Sequence, residues 1–376
     1  MDNNLKKFIT NQSDFQINQY DLSLNTIMQK MKKQKIFEKM HFFIIIKNNK
    51  FFVLFPSGDT RKKIIINNVK NVLENLKSSN QLKSLPDMYL PFYISDTHYY
   101  HDNDIPYFIE AKPKNQKGIL FPDSNYYSIK VDNETINYDK FKKIIKKHKC
   151  TNTNKVGENK KPIIFFSGAN TGDDKHNIRM KLKNIVSEKK DKRYDIKISE
   201  EYYPMYYFCN FKYLLNLPGN QPWSYRMSKI LLMGSLVIDI NMKQTFYNTQ
   251  SKKFYPPNDK WIQIYSEFFK KDEDYIEIDY DWKESHTKNT QVINIYNNIN
   301  TIYNNFQQND NQYKMIVNSA TKKANLLNMK VFDKTMTYLI LKFTEKLYKQ
   351  NTKEEINTFI DYLFTLEKKP ILGKKK

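Results

Sequence analysis

Short apolar runs along the chain alternate with segments whose apolar residues recur every three or four positions. The short runs predict buried strands, and the longer spacing predicts amphipathic helices. Predicted strands cover Phe42–Ile46, Phe51–Phe55, Leu90–Ile94, Pro106–Ile109, Ile119–Phe121, Ile163–Phe166, Tyr213–Leu217, Leu236–Ile240 and Tyr275–Ile278. Predicted helices cover 3–35, Val69–Leu76, Tyr138–His148, His176–Val186, Met227–Met233, Thr287–Lys349 and Thr352–Leu366. Strands that alternate with helices in both halves predict an α/β fold with parallel sheets.

The segment Lys212–Ile240 is the most informative one. Its apolar run Tyr213–Leu217 ends at a Pro-Gly pair, Ser224 then takes the position of a helix N-cap, and Gly234 takes that of the stop after the helix. This order of strand, loop and helix points a helix N-terminus out of the carboxyl edge of a sheet, where Arg226 favours a phosphate site. A packing helix with a solvated arginine explains the same local pattern.

The length of 376 residues predicts two domains with sizeable cores, and 40% hydrophobic residues with 15% aromatics exclude wholesale disorder. The polar stretch Thr151–Lys161 is the best linker candidate. We therefore predict one domain over residues 1–155, a second over residues 156–350, and a final helix followed by a basic tail within residues 351–376.

A formal net charge of +22 predicts attraction to polyanions such as nucleic acid, anionic membranes or nucleotide phosphates. Heavy use of Lys, Asn, Ile and Tyr beside only 8 glycines also indicates an AT-rich genome, such as that of a large DNA virus or a parasite. Codon bias of that kind raises the lysine content of a protein whether or not the protein binds a polyanion. Lysines far outnumber arginines, which make bidentate contacts to guanine, so we expect no specific recognition of nucleic acid.

The two cysteines, Cys150 and Cys209, predict neither a disulfide framework nor a metal site. The polar N-terminus lacks the apolar core of a signal peptide, and no run approaches the ~18 apolar residues of a membrane span. The final GKKK is not an ER-retention signal. These features predict a cytoplasmic protein with reduced cysteines.

Three blocks of sequence carry a family resemblance. They are LPDMYLPFYISDTHYY with the following IPYFIEAK and ILFPDSNYY, then IIFFSGANTGDDKHNIRMKL, and then KYLLNLPG, SYR and KILLMGSLVI. In order and spacing, from roughly Leu85 to Tyr275, they resemble glycosyltransferase family 90, which includes Rumi-type protein O-glucosyltransferases and fungal capsule xylosyltransferases. Cellular members usually work in the secretory pathway, so the N-terminus described above departs from the family.

The resemblance implies a GT-B fold, in which two Rossmann-like domains face each other across a cleft. It implies that the C-terminal domain binds a UDP-sugar, that the N-terminal domain supplies the base, and that the helix predicted at Thr352–Leu366 crosses back to the first domain. The expected reaction is inverting and metal-independent, and it moves glucose or xylose from UDP-glucose or UDP-xylose to a hydroxyl of a protein or glycan. No cofactor beyond this donor substrate is expected.

Residues that match the family's donor-binding motifs follow two predicted strands. They are Ser167, Gly168, Thr171, Arg179, Ser224, Tyr225 and Arg226. The resemblance implies that Arg226 pairs with the diphosphate and that Ser224 contacts one of its oxygens. Relatives normally carry an arginine at the position of Ser167, so this chain lacks one cation there, which leaves open a changed donor or a weakened enzyme. In isolation, the Gly168 segment is equally well explained as a simple β-turn.

Asp96 is the candidate general base. It follows the predicted strand Leu90–Ile94, at the edge where α/β folds place functional side chains, and it matches an acidic position of the family's first block. A turn-capping aspartate is the ordinary alternative. Metal binding by His98, His101, Asp102 and Asp104 is a further alternative, although the chain has no DxD motif in a convincing context.

Two hypotheses of different class remain. The first is the metal-independent glycosyltransferase that Asp96 and Arg226 favour. The second is a non-catalytic basic protein, a decayed transferase fold that holds nucleic acid or other polyanions, which Ser167 and the charge of +22 favour.

Overall fold

The structure is a computed structural model. It describes residues 1–34, 41–56, 60–79, 85–94, 105–114, 116–132, 134–148, 150, 159–170, 178–198, 203–219, 226–244, 246–248, 253–255, 261–282 and 288–367.

The described residues form α-helices and β-strands in an α/β order. The helices are α1 (Asn3–Asn18), α2 (Leu24–Gln34), α3 (Thr60–Ser78), α4 (Tyr138–Lys147), α5 (Ile178–Glu188), α6 (Met227–Ile230), α7 (Lys288–Gln308), α8 (Asp310–Leu326), α9 (Met329–Gln350) and α10 (Lys353–Glu367). The strands are β1 (His41–Lys47), β2 (Lys50–Leu54), β3 (Met88–Tyr93), β4 (Phe108–Ile109), β5 (Lys112–Pro113), β6 (Ile119–Leu120), β7 (Ile129–Val131), β8 (Glu134–Ile136), β9 (Lys161–Gly168), β10 (Tyr194–Ile198), β11 (Phe211–Asn216), β12 (Leu236–Gln244), β13 (Phe246–Asn248), β14 (Lys253–Tyr255), β15 (Trp261–Ile262) and β16 (Ile276–Trp282).

The chain divides into two compact units. Unit 1 comprises residues 1–112, 116–127 and 329–376, and unit 2 comprises residues 113–115 and 128–328. Residues 128–155 thus lie in unit 2, and α9 lies in unit 1, whereas the sequence predicts boundaries at residues 155 and 350.

Unit 1 contains a mixed sheet in the order β2-β1-β3-β4-β6. The β1–β2 hairpin turns through Asn48 and Asn49, whose φ angles of 50° and 59° are the left-handed values that a two-residue hairpin turn needs. Because β1 is antiparallel to both β2 and β3, this sheet is not the parallel sheet expected of a Rossmann-like domain. α9 packs on α1 and α3, and α10 packs on α2, β2 and β3.

Unit 2 contains a five-stranded parallel sheet in the order β10-β9-β11-β12-β16. Its first strand, β9, pairs with β10 on one side and with β11 on the other, which is the strand order 2-1-3-4-5 of doubly wound folds. In such sheets ligands bind at the carboxyl ends of the strands where the winding reverses, here between β9 and β11.

One face of this sheet packs against α5, α7 and α8 in an apolar core. Alternate residues of the central strands, such as Ile164, Leu215 and Ile238, are fully buried there against Leu182 and Val292. The opposite face carries the intervening residues, among them Phe165, which stacks on Phe211 with ring centroids 4.0 Å apart. Because both faces are covered, the strands form the nearly continuous apolar runs seen in the sequence.

The two cysteines form a disulfide, so the prediction of reduced cysteines is wrong. Cys150 lies after α4 and Cys209 just before β11, and their Cα atoms are 5.1 Å apart. Gly234 lies beside this bridge in the left-handed conformation, and a Cβ atom there would meet the Cys150 carbonyl oxygen at 2.2 Å. A separation of 59 residues between the cysteines gives no pairing signal in the sequence. Disulfides persist mainly in oxidising compartments.

The turn between α5 and β10 is fixed by a buried carboxylate. Asp191 accepts hydrogen bonds from the Arg193 guanidinium at 2.6 and 2.9 Å and from the Tyr296 hydroxyl at 2.6 Å. The Arg193 guanidinium, more than any other group, lowers the pKa of Asp191 from 3.8 to about 2. The folded state therefore favours the ionised carboxylate.

We expect this carboxylate to stabilise unit 2 in a pH-dependent way. Because the pKa of Asp191 is lower in the folded state than in the unfolded state, its stabilisation is complete above about pH 4 and is lost as the pH falls toward 2. Urea unfolding at a series of pH values should therefore show that the free energy of unfolding falls less between about pH 4 and 2 for Asp191→Asn than for the wild type. The same pH dependence of the free energy of unfolding in both proteins would show that the ion pair does not form.

Among the helices that the structure describes, none combines the length and the apolar character that a membrane crossing requires.

Candidate functional site

The carboxyl edge of the unit 2 sheet gathers the described candidates for donor binding. β9 ends at Ser167 and Gly168, and β11 ends at Asn216, on the two sides of the point where the winding reverses. Ser167 and Gly168 belong to the end of the strand, since they pair with Lys197 and Ile198 of β10. The strand is thus longer than predicted, and Ser167 and Gly168 belong to it, while the segment just beyond Asn170 lies outside the described residues.

Arg226 lies over the end of β9. Its guanidinium carbon is 4.6 Å from the centroid of the Phe166 ring, which is fully buried. Its carbonyl oxygen accepts hydrogen bonds from the backbone N–H groups of Lys229 and Ile230, so its backbone is anchored at the start of α6. A guanidinium held on an aromatic face keeps its charge in a fixed place.

Gly168 leaves the space that Arg226 occupies. A Cβ atom at position 168 would lie 2.7 Å from the Arg226 Nη2 atom and 3.0 Å from the Phe166 ring. Any larger residue would displace the guanidinium from the strand end. The glycine that the family motif places here therefore permits a close approach of the arginine, in addition to any contact with a ligand.

Arg179, in the first turn of α5, holds together the loops that follow β9 and β11. It is 4% exposed, and it donates hydrogen bonds to the carbonyl oxygens of Ala169 at 2.8 Å, Leu217 at 3.3 Å and Pro218 at 3.0 Å. Its guanidinium carbon lies 5.3 Å from the same Phe166 ring that Arg226 covers. Arg179 thus has a positioning role that the sequence did not predict.

The two guanidinium groups lie in an environment that disfavours positive charge. Burial, and then the charge of Arg179, lower the pKa of Arg226 from 12.5 to about 9. Burial also lowers the pKa of Arg179 from 12.5 to about 10. An anion that binds beside both arginines would stabilise the charged form of each.

The helix that follows β11 is shorter than the sequence predicts. α6 covers four residues, and a 3₁₀ turn over Leu231–Met233 completes it before Gly234, which ends it as expected. Arg226, and not Ser224 as predicted, occupies the N-cap position, and its side chain makes no capping hydrogen bond. The charge of Arg226, and not a long helix dipole, is what α6 contributes to the edge.

Polar pairs at the same edge were missed by the sequence analysis. The Asn216 amide donates to Asp239 at 2.7 Å, between β11 and β12, and the Asn241 amide donates to Asp279 at 2.8 Å, between β12 and β16. Asn216 and Asn241 are 6% and 5% exposed. The sequence does show a polar residue after each apolar run, and this is the signal that could have indicated these positions. Which two side chains meet depends on the strand register, which the sequence does not show.

Several predicted site residues lie outside the described residues. They are Thr171, Ser224 and Tyr225 of the donor site, the base candidate Asp96, and the alternative metal ligands His98, His101, Asp102 and Asp104. Ile94, just past the carboxyl end of β3, is the last described residue before Asp96. There His41, which pairs with Tyr93 across the sheet, contacts the rings of Tyr93 and Tyr107 at 4.9 and 5.0 Å.

Asp87 lies at the opposite end of the same strand. It precedes β3, and its carboxylate accepts a hydrogen bond of 2.6 Å from the backbone N–H of Asn48 in the hairpin turn. Its carbonyl oxygen accepts from the Tyr348 hydroxyl at 2.7 Å. Asp87 therefore fixes the hairpin to β3 and α9.

The described residues contain no cluster of three or more His, Cys, Asp or Glu side chains that would hold a metal ion.

Most of the sequence matches a known family. The sequence profile described as Glycosyl transferase family 90 matches residues 11–357, which is nearly the entire chain and extends beyond the three blocks that suggested the family. Comparison with curated proteins finds no match. The matched range includes all of unit 2, most of unit 1 and every candidate residue named above. The chain therefore belongs to glycosyl transferase family 90.

Proposed function

We propose that this glycosyltransferase moves glucose or xylose from a UDP-sugar to a hydroxyl of a protein or glycan, with inversion and without a metal ion. The observation that carries the proposal is the pair of arginines, Arg179 and Arg226, at the carboxyl edge of a doubly wound parallel sheet. This edge is where such sheets bind nucleotides. A diphosphate leaving group needs positive charge as it departs, and two fixed guanidinium groups supply it.

The residues have distinct tasks in this proposal. Arg226 makes the charge-assisted contact to the diphosphate, while Arg179 keeps the two loops in place and adds its field. Asn216 at the end of β11 and its partner Asp239 on β12 offer polar groups that suit the hydroxyls of the donor. Ser167, Thr171, Ser224 and Tyr225 complete the donor site as the family motif implies. The GT-B arrangement remains part of the proposal, supported by the doubly wound sheet of unit 2.

The chemical step needs one base. An acceptor hydroxyl oxygen attacks the anomeric carbon, the bond from that carbon to the diphosphate oxygen breaks, and UDP leaves with the electron pair. Asp96 takes the proton of the hydroxyl as the new bond forms. A single displacement of this kind inverts the anomeric configuration.

A panel of ligands tests the proposed function. We expect one or two UDP-sugars to raise the melting temperature of the protein, because a ligand at a hundredfold excess over its Kd stabilises the folded state by about 2.7 kcal/mol. Other sugar nucleotides and heparin, at equal concentration, should stabilise it less. Equal shifts with every polyanion would favour the alternative of a non-catalytic basic protein and would contradict the transferase proposal.

We expect removal of divalent metal to leave donor binding unchanged. If the arginines supply the charge that a metal supplies elsewhere, calorimetry with EDTA should give the same Kd for the UDP-sugar, within about twofold, as calorimetry with manganese. UDP release should likewise persist in EDTA. A requirement for manganese in either measurement would contradict the metal-free mechanism.

A further inference from the structure

A second charged site lies at the amino edge of the unit 2 sheet, at the opposite end of the strands from the donor residues. A cavity of about 660 Å³ opens there between the start of β9, the turn from α5 to β10, and α7. Its charged lining, which we call the basic pocket, consists of Lys161, Lys189, Lys190, Asp191, Lys192 and Arg193.

The basic pocket has an excess of positive charge. Its one carboxylate, Asp191, is already bound by Arg193 and by the Tyr296 hydroxyl. Lys161, Lys190 and Lys192 form no ion pair with any residue that the structure describes. Five cations thus line the cavity, and its single carboxylate is already paired with Arg193. This excess of positive charge favours an anionic ligand.

The backbone of the turn that carries four of these cations, all but Lys161, is fixed. Lys190 has a left-handed φ of 50°, and backbone hydrogen bonds of 3.1 Å from Lys190 to Ser187 and from Asp191 to Val186 close the turn. The Lys189 ammonium lies 5.5 Å from the centroid of the Tyr296 ring. A non-glycine residue in this strained conformation persists only where its surroundings fix it. The backbone that carries Lys189, Lys190 and Lys192 is therefore fixed beside the cavity, and their exposed side chains reach solvent from it.

The character of the cations limits the ligand class. Arg193, the one guanidinium, is committed to Asp191 and lies 5.8 Å from the Tyr303 ring, so it is not placed to make bidentate contacts with bases. Lys189 and Arg193 cover the two tyrosine rings, which removes the platforms on which unpaired bases stack. The remaining lysine ammonium groups are point charges that suit phosphate or sulfate oxygens.

We propose that the basic pocket binds a compact ligand with two or more phosphate or sulfate ester groups. The cavity has room for a ring that carries several such groups. It shares no residue with the donor site and lies at the other edge of the sheet, so binding there does not depend on the proposed transferase function.

Calorimetry on the full chain at about 0.15 M salt tests this site, with inositol hexakisphosphate and a heparin-derived disaccharide as probes. We expect Lys190→Glu combined with Lys192→Glu to weaken binding by about tenfold or more, because the reversed charges face the ligand. The matched control is Lys140→Glu combined with Lys147→Glu, two exposed lysines of α4 in the same unit. The control should change the Kd by less than about threefold, although it changes the net charge equally.

The outcomes separate the sources of the ligand. Tighter binding of the inositol phosphate assigns the pocket to phosphate esters, and tighter binding of the disaccharide assigns it to sulfated sugars. Arg226→Ala should leave both affinities unchanged. Equal losses in the pocket and control variants, no binding of either probe, or tighter binding of a short oligonucleotide would overturn the proposal. If the double variant does not fold, Lys161→Glu tests the opposite wall of the cavity in the same way.

Discussion

Asp96→Asn is expected to lower the rate of transfer by roughly 10²–10⁴-fold while the Kd of the UDP-sugar changes by less than about threefold. A general base acts on the acceptor proton in the transition state and adds little to the binding of the donor. Asparagine keeps the shape and most hydrogen bonds of aspartate but does not accept that proton. Turnover is measured as UDP release, and donor affinity is measured by calorimetry.

Asp87→Asn provides the matched control, since Asp87 is at the opposite end of β3 and holds the hairpin turn through Asn48. The amide oxygen of asparagine still accepts the hydrogen bond from Asn48, so this control should leave the transfer rate close to that of the wild type. Were Asp96 only a turn cap, its asparagine variant would also turn over normally, because asparagine caps about as well as aspartate. Normal turnover would therefore contradict its role as the base.

Arg226→Ala is expected to weaken UDP-sugar binding by about 10- to 150-fold, which corresponds to the roughly 1.5–3 kcal/mol of a hydrogen bond to a charged group. The guanidinium is held over Phe166 at the strand end, so the alanine variant removes a charge that is already in place. Arg226→Lys should give an intermediate loss, because an ammonium keeps the charge but lacks the planar fork. Calorimetry with UDP and with the UDP-sugar measures both variants.

Lys212→Ala controls for the loss of one positive charge in the same unit. Lys212 pairs with Asp310 at 3.4 Å and lies 4.6 Å from the Tyr313 ring, so it is a structural cation. Its removal should change donor affinity by less than about twofold. If Arg226→Ala bound the donor as tightly as the wild type does, Arg226 would have no place in the donor site.

Much of the fold follows from the pattern of the sequence. The strands with long apolar runs, such as β1, β9 and β12, occur where predicted because both of their faces are buried. β10 was missed because its residues alternate between buried and half-buried, which gives no continuous apolar run. The helical region predicted over Thr287–Lys349 forms α7, α8 and most of α9, with short breaks at Asn309 and at residues 327–328.

The candidate site was predictable only in part. Motifs identified Gly168, Arg179 and Arg226, which the structure brings together around Phe166. The clamp that Arg179 forms depends on carbonyl groups of two loops that are distant in sequence, so no local pattern predicts it. The same holds for the Asn216–Asp239 pair, which depends on strand register, and for the disulfide.

The account is tested most directly by a crystal structure of the protein with UDP. It predicts that the diphosphate lies at the carboxyl edge of the unit 2 sheet, between the ends of β9 and β11, with phosphate oxygens about 3 Å from the Arg226 guanidinium. It also predicts that no metal ion bridges the two phosphates when metal is supplied. UDP bound elsewhere, or at this edge but through a divalent cation without contact to Arg226, would contradict the account.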